Sequence, residues 1–326
     1  MDVRWITPSR LEERDWSDVP ALLGRDDGIV WVDVVSCDQV TARQLADTFG
    51  FHDLALRDIL ERNHLPKLHA YHDHLFVVLH SPEPGEAGHI HLVELDQFIG
   101  ARYLVTTHGP VAPDVTEDIV LRESRHVVDR LRAGRLTVAT PFELSYALVS
   151  AVAHRQSEEL GRLATKIAGL EQRVREDIGD PIHVLEEMFL VRHELLTIRT
   201  MAAESSEVYA RMSALTRMIP DEAPPLIRDL IDRFQRVRHM CDGEKEFVQG
   251  VIDFYQARTT TKMNVAMERL ALIAAVLLPV TAIASIYGMN IIVGDHTDVP
   301  QLGVVLVVMG VVVAGMLAWS KRLGWW

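Results

Sequence analysis

Two long apolar segments near the C-terminus dominate the hydropathy pattern of the chain. Residues 270–287 and 302–320 contain no charged residue. At about 1.5 Å of rise per residue, a helix of either length can cross the ~30 Å hydrocarbon core of a bilayer. Only a short segment separates them, so the pattern predicts a transmembrane helical hairpin with a small external loop.

The first part of the chain has the residue pattern of strands. Four segments are rich in β-branched and apolar residues: residues 29–35, 74–80, 91–99 and 103–107. Thr41 followed by Gln44 resembles a capping box and predicts a helix that runs toward Phe49. The order of these elements predicts a mixed α/β domain over residues 1–135, with helices packed on a sheet.

The middle of the chain has a helical pattern. Residues 140–143, Thr-Pro-Phe-Glu, combine an N-cap, a proline at the first helical position and a glutamate at the third. This signal predicts a helix to about Ile178, and Asp180 with Pro181 predicts a second helix to about Met218. We expect a long antiparallel hairpin over residues 136–222, solvated on one side.

No proline interrupts the chain between Pro225 and Pro279. The simplest prediction is one helix from about Leu226 to Tyr287, roughly 90 Å long. Such a helix cannot bury itself, so it implies oligomerisation or packing by the preceding hairpin. The expected fold is an α+β cytoplasmic domain whose long helices continue into a two-helix transmembrane hairpin. The expected segments are a stalk and first span (223–288), an external loop (289–300), and a second span with a cytoplasmic tail (301–326).

Charge predicts the orientation and narrows the partners. The 326 residues carry a formal net charge of −13, which argues against nucleic acid and is compatible with cations. Basic residues flank the spans on the side away from the loop: Lys262, Arg269, Lys321 and Arg322. By the positive-inside rule both termini are cytoplasmic, and we expect a multi-pass protein of the inner or plasma membrane in contact with its lipid.

One face of the first span carries small, flexible or mildly polar residues at alternating spacings of three and four. The face consists of Asn264, Met267, Ala271, Ala274, Leu278, Thr281 and Ser285. Small residues at this spacing favour close helix packing. In a ring of such helices the same face would line a channel, with an apolar constriction at Met267, Leu270 and Leu278. Both interpretations are open at this point.

The first span closes with Tyr287-Gly288-Met289-Asn290 directly after residues 279–286, Pro-Val-Thr-Ala-Ile-Ala-Ser-Ile. With two C-terminal spans and a long acidic front, this chain resembles the CorA family of magnesium and cobalt channels. The resemblance covers nearly the whole chain. It includes residues 56–60, Pro66-Lys67 and the segment 74–79 in the front domain.

The resemblance implies a funnel-shaped homopentamer that carries Mg²⁺, with Co²⁺ or Ni²⁺ as further ions. It assigns Gly288, Met289 and Asn290 to the selectivity mouth. It places Asn264 at a polar ring of the inner end, Met267, Leu270 and Leu278 at gate positions, and Thr281 at an internal polar ring. Ala274 and Ser285 join the predicted pore lining by their spacing on the same face. It also implies that Asp58 and Asp229 of neighbouring subunits share a regulatory Mg²⁺.

A neutral amide suits the mouth on physical grounds, because Mg²⁺ keeps its waters and amide oxygens accept hydrogen bonds from them. The chain departs from the family at two places. Arg57 stands where an acidic residue commonly precedes Asp58, and the external glutamate is absent. Asp295 and Asp298 of the loop are then the candidates for steering cations to the mouth.

The front domain is rich in histidine: His52, His64, His69, His72, His74, His80, His89 and His91. Their spacing matches no zinc motif, and we interpret them as solvated polar positions on a sheet. A Zn²⁺ transporter of the same superfamily remains an alternative, as does a membrane-anchored acidic scaffold. An enzyme is not expected, because no nucleophile–base arrangement or nucleotide loop is found.

Overall fold

The computed structural model describes residues 1–8, 10–110, 115–178, 180–215, 219–288 and 299–322. The chain divides into two compact units, Met1–Val251 and Ile252–Trp326. The first unit contains a sheet and the helices packed on it. The second contains the C-terminal part of the longest helix and one further helix.

The strands are β1 (Asp2–Thr7), β2 (Arg10–Arg14), β3 (Ile29–Val34), β4 (Lys67–Ala70), β5 (His74–Pro84), β6 (Ile90–Gly100) and β7 (Tyr103–Thr107). The helices are α1 (Val19–Leu23), α2 (Gln39–Phe49), α3 (Asp53–Leu60), α4 (Glu117–Val120), α5 (Arg122–Arg132), α6 (Pro141–Glu176), α7 (Pro181–Met212), α8 (Ala223–Gly288) and α9 (Val299–Arg322). The strands form one sheet in the order β2-β1-β3-β7-β6-β5-β4. Of its strand pairs, β3 with β7 is parallel and the others are antiparallel.

The sheet is covered by helices on both faces. Successive side chains of a strand point to opposite faces, and β3 shows this clearly. Trp31 packs in a core with α5, α6, α7 and the start of α8. Val30 and Val32 pack in a second core with α1, α2 and α3. Because helices cover both faces, every residue of β3 is buried. The side chains of β3 are apolar except for that of Asp33, which accepts hydrogen bonds.

The four predicted strands are confirmed as β3, β5, β6 and β7. Three further strands, β1, β2 and β4, were not predicted from the sequence. In β1 a period of two was available, since Val3 and Trp5 are buried on one face. Arg4 between them is also buried, because it packs over the ring of Trp31 at 4.9 Å. A buried cation inside a strand hides the alternation that the sequence would otherwise show.

The helix starts follow local capping chemistry. The Thr140 hydroxyl accepts a hydrogen bond from the Glu143 amide at 3.1 Å, and the Glu143 carboxylate accepts one from the Ala139 amide at 2.6 Å. The predicted start of α6 is therefore confirmed. The Asp180 carboxylate accepts from the Ile182 amide at 3.2 Å, which confirms the start of α7.

Two predicted helix boundaries were wrong, and a third was right to within two residues. The predicted capping box at Thr41 is incorrect, because Asp38 caps α2 and accepts from the Thr41 amide at 2.8 Å. Helix α6 ends at Glu176, two residues before the predicted end near Ile178, because Asp177 adopts a left-handed φ of 61°. Helix α7 ends at Met212, where the Ser213 hydroxyl donates to the Ala210 carbonyl.

Helix α8 begins slightly earlier than predicted, at Ala223. Pro224 and Pro225 therefore lie in its first turn. A proline is tolerated there because the first amides of a helix have no intrahelical acceptor. The helix continues without interruption to Gly288, as the absence of internal proline before Pro279 predicted.

Candidate ion pathway and cation sites

The predicted pore face lies on one continuous helix. All of its members belong to α8, from Asn264 to Ser285. At 3.6 residues per turn, spacings of three and four keep these positions within about 100° of arc. Leu270 lies just beyond one edge of this arc. The backbone therefore places small and polar groups along a single stripe, which we call the α8 seam.

The seam is not covered by the part of the chain that the structure describes. Met267, Leu270 and Leu278 are 53%, 65% and 69% exposed. The other seam residues named above are exposed as well. An apolar stretch of this length in water is strongly unfavourable, at about 25 cal/mol per Å² of apolar surface. The surface of α8 therefore needs lipid, another helix or another copy of the chain to cover it.

Polar atoms on the α8 seam retain the capacity to bind cations or their water. The Thr281 hydroxyl donates to the Leu277 carbonyl at 2.8 Å, so its oxygen lone pairs stay available. Pro279 lies inside the helix and supplies no amide to the carbonyl of Ala275. The helix thus offers the Thr281 hydroxyl oxygen on the seam and, beside the seam, an Ala275 carbonyl that receives no hydrogen bond from position 279.

The predicted mouth lies at the C-terminal end of α8. Gly288 is the last residue of the helix. Met289 and Asn290 of the motif, and Asp295 and Asp298 of the loop, lie outside the described residues. Their assignment therefore remains a prediction from the sequence.

Asp58, the first predicted regulatory carboxylate, has a cation beside it within the chain. It lies on α3, and its carboxylate accepts a hydrogen bond from Lys67 Nζ at 3.0 Å. The same Lys67 also donates to the side-chain carbonyl of Asn63. The sequence pointed to Arg57 as the nearby positive charge, but the tertiary structure places Lys67 against this carboxylate.

Asp229, the second predicted carboxylate, lies near the start of α8. Its Oδ2 accepts hydrogen bonds from the Tyr146 hydroxyl at 2.7 Å and from Arg233 Nε at 2.5 Å. Partial burial opposes ionisation, but the bonds from Arg233 and Tyr146 outweigh it and lower the pKa of Asp229. Each predicted regulatory carboxylate therefore forms an ion pair within its own chain.

The interpretation of the front histidines as solvated was wrong for two of them. His74 and His80 are buried, at 2% and 0% exposure. His74 Nδ1 bonds to the Asp73 carboxylate at 2.7 Å, and His80 Nε2 donates to the Asn63 carbonyl at 2.8 Å. Burial lowers the pKa of His80 to about 4, so its imidazole is neutral. His72 precedes β5 and does not share a strand face with His74.

A buried polar group at the carboxyl ends of β3 and β7 was missed by the sequence analysis. His108 Nε2 donates to the Asp33 carboxylate at 3.1 Å, and Thr106 donates to the same oxygen at 2.6 Å. Burial opposes ionisation of Asp33, but His108 and Thr106 outweigh it and lower its pKa. On the neighbouring β6, burial raises the pKa of Asp96 well above the ordinary value, and the charge of Glu94 adds to this effect.

The chain is similar in sequence and fold to known proteins. A family model described as CorA-like Mg²⁺ transporter protein matches residues 26–322. The chain belongs to this family. The solved structure of the complete CorA magnesium transporter from Methanocaldococcus jannaschii is similar in fold, with a TM-score of 0.82 at 18% identity. It covers 100% of this chain and 99% of that one.

Two relatives are named for the transport of different metal ions. The cobalt/magnesium transport protein CorA of Thermotoga maritima is 26% identical over 310 residues, covering 90% of this chain and 83% of that protein. The zinc transport protein ZntB of Pectobacterium atrosepticum is 25% identical over 181 residues, covering 55% and 54%.

Family membership confirms the resemblance that the sequence motifs indicated. This member of the CorA-like family is a divalent metal cation transporter and not an enzyme. Its fold is the predicted mixed α/β domain with long helices. Two helices, α8 and the described part of α9, are long and apolar enough to cross a membrane, which supports a membrane location.

Proposed function

We propose that several copies of the chain assemble around α8 to form a channel that conducts Mg²⁺ into the cell, with Co²⁺ and Ni²⁺ as further ions. The observation that carries this proposal is the exposed α8 seam, whose small and polar residues suit the lining of a channel between several copies of the helix. An anchor helix needs no such stripe. The family resemblance implies that five copies form the ring.

The proposed pathway separates ion capture from gating. Asn290 holds a hydrated ion at the external mouth, aided by Asp295 and Asp298. Rings of Thr281 and Asn264 then offer oxygen atoms along the channel. Between them, apolar rings at Leu278, Leu270 and Met267 close the channel by excluding water. Ala274 and Ser285 complete the lining with small side chains.

The membrane potential drives the ion inward. Moving two charges across the membrane is worth roughly 4.6 kcal/mol per 100 mV. Entry requires both termini to be cytoplasmic, as the flanking basic residues predict. Intracellular Mg²⁺ regulates the channel by binding between Asp58 and Asp229 of neighbouring copies, where it must compete with Lys67 and Arg233.

The test is Mg²⁺ influx into proteoliposomes that contain a Mg²⁺-sensitive dye and an inside-negative potassium diffusion potential. Asn290→Ala is compared with Gln256→Ala, which removes an exposed carboxamide of α8 outside the apolar span. We expect flux in the wild type and in Gln256→Ala, and at least a tenfold loss in Asn290→Ala. Equal flux in all three proteins would show that Asn290 is not the mouth ligand.

A zinc transporter is the second candidate, favoured by the relative named zinc transport protein ZntB. The same vesicles with a Zn²⁺-sensitive dye separate the two ions, since a zinc transporter carries Zn²⁺ faster than Mg²⁺ at equal concentration. Vesicles of verified orientation that carry neither ion would instead support the membrane-anchored scaffold.

A further inference from the structure

A cavity of about 330 Å³ in the first unit is lined by five histidines. They come from different parts of the fold: His64 follows α3, His89 and His91 lie at the start of β6, His108 follows β7, and His193 lies on α7. The cavity lies at the carboxyl ends of the parallel pair β3 and β7. Ligand sites in sheets with helices on both faces commonly occupy this edge.

His108 already has hydrogen-bond partners. It is buried and bonds to the Asp33 carboxylate and to the Glu94 carbonyl. Among the described residues, no hydrogen bond or ion pair is made by the side chains of the other four: His64, His89, His91 and His193. Imidazole nitrogens that make no hydrogen bond are available as ligands for transition metals.

His89 and His91 already form a pair. Their ring centroids are 4.8 Å apart and their planes are at 84°. Two imidazoles on one tetrahedral metal, with metal–nitrogen distances of about 2.1 Å, have ring centres about 5 Å apart. The observed separation therefore suits two ligands of one ion. Within the described ranges, no set of three His, Cys, Asp or Glu side chains is yet placed to hold a metal. A third ligand must come from rotation of an exposed side chain across the cavity.

His193 is the candidate for this third ligand, because it lines the same cavity. It is exposed on α7, so its side chain can change rotamer without opening the core. The lining also includes two acidic residues, Glu94 and Glu117, and one arginine, Arg62. The Glu94 carboxylate accepts hydrogen bonds from the Asn63 amide and side chain, so it is not one of the proposed ligands.

We propose that this cavity binds one borderline transition-metal dication, Co²⁺, Ni²⁺ or Zn²⁺, through His89, His91 and His193. Mg²⁺ is excluded because it prefers oxygen ligands and retains its waters. The site lies within one copy of the chain and uses no residue of the proposed pore. It is thus a cytoplasmic metal site in addition to the proposed transport pathway.

The test uses the full-length protein in detergent with excess Mg²⁺, which occupies sites made of oxygen ligands. Co²⁺ is titrated and followed by its visible absorption and by X-ray absorption at the cobalt edge. The wild type is compared with His89→Gln/His91→Gln and with His193→Gln. The control is His126→Gln/His239→Gln, which removes two exposed histidines of α5 and α8 outside the cavity.

We expect one Co²⁺ per chain with imidazole ligands in the wild type and in the control. The double variant at positions 89 and 91 loses at least 100-fold in affinity, and His193→Gln loses roughly tenfold. Circular dichroism at matched temperature verifies that each variant is folded. A cobalt shell of oxygen alone, or equal affinity in wild type and double variant, would overturn the proposal. The assay measures no flux, so its result is independent of whether the protein conducts Mg²⁺.

Discussion

Lys67 Nζ lies 3.0 Å from Asp58 Oδ1 and joins the start of β4 to α3. The carboxylate that the family resemblance assigns to a regulatory ion is therefore neutralised by its own chain. A cation arriving at Asp58 must displace Lys67 or share the carboxylate with it. In the proposed channel, this ion pair should weaken the inhibition by intracellular Mg²⁺.

Lys67→Met should make the channel more sensitive to intracellular Mg²⁺. Removal of the ammonium leaves Asp58 without its partner, and partly exposed ion pairs are worth about 0.2–1 kcal/mol. We expect the half-inhibiting Mg²⁺ concentration to fall about twofold to fivefold, measured as flux from vesicles loaded with graded internal Mg²⁺. Lys67→Arg retains the charge and serves as the control. An unchanged value in Lys67→Met would remove Asp58 from the regulatory site.

Thr140→Ala should destabilise the N-terminus of α6. The hydroxyl of Thr140 satisfies the Glu143 amide, and loss of an N-cap costs about 1 kcal/mol. We expect a lower midpoint of thermal unfolding in detergent, with unchanged secondary structure at low temperature. Thr137→Ala, at an exposed position before the cap, is the matched control. If both variants unfold at the same temperature, the cap contributes nothing measurable.

The first unit should be less stable in mild acid than at neutral pH, because His80 is buried in its neutral form. Burial lowers the pKa of His80 to about 4, whereas an unfolded histidine has its ordinary value near 6.5. Between these values the unfolded chain binds the additional proton, so stability falls as the pH falls from about 6.5 toward 4. The full loss of unfolding free energy is about 3 kcal/mol. The neighbouring His64 also disfavours a positive charge on His80.

The comparison variant is His80→Gln, which retains a donor for the Asn63 carbonyl and does not titrate. Unfolding midpoints of both proteins are measured from pH 7.5 to 4.5. Other titrating groups, including Glu94 and Asp96, are common to both proteins and cancel in the difference. The wild type should lose more stability than the variant as the pH falls. Parallel curves would contradict the expected neutral state of His80.

Gly109→Ala, just after β7, should destabilise the protein more than Gly134→Ala does. Gly109 has a φ of +65°, and a Cβ there would lie 2.7 Å from Glu94 Oε2. Gly134→Ala is the matched control, because Gly134 has a φ of +64° and no atom within 4 Å of its Cβ position. Both variants carry the backbone cost of a left-handed residue, about 1–2 kcal/mol.

Only Gly109→Ala adds displacement of Glu94, whose carboxylate accepts from the Asn63 amide and side chain. We expect its unfolding midpoint to lie below that of Gly134→Ala by the equivalent of about 1–3 kcal/mol. If the two midpoints are equal, the Glu94 side chain moves aside at no cost.

The sequence alone determined the elements whose signals are local. Residues 140–143 predicted the start of α6, because a capping box is made by neighbours in the chain. The long uninterrupted helix α8 followed from the spacing of prolines, and the membrane spans followed from uncharged runs. The family could be recognised because its motif stands at a fixed place relative to these spans.

The tertiary structure alone decided how distant groups are paired. It placed Lys67 rather than the adjacent Arg57 against Asp58, and it buried His80 among strands where the sequence suggested a solvated position. It also brought His89 and His193 to one cavity across about a hundred residues of chain. Capping, periodicity and span length depend on a few neighbouring residues, whereas burial and ion pairing depend on packing between strands and helices distant in sequence.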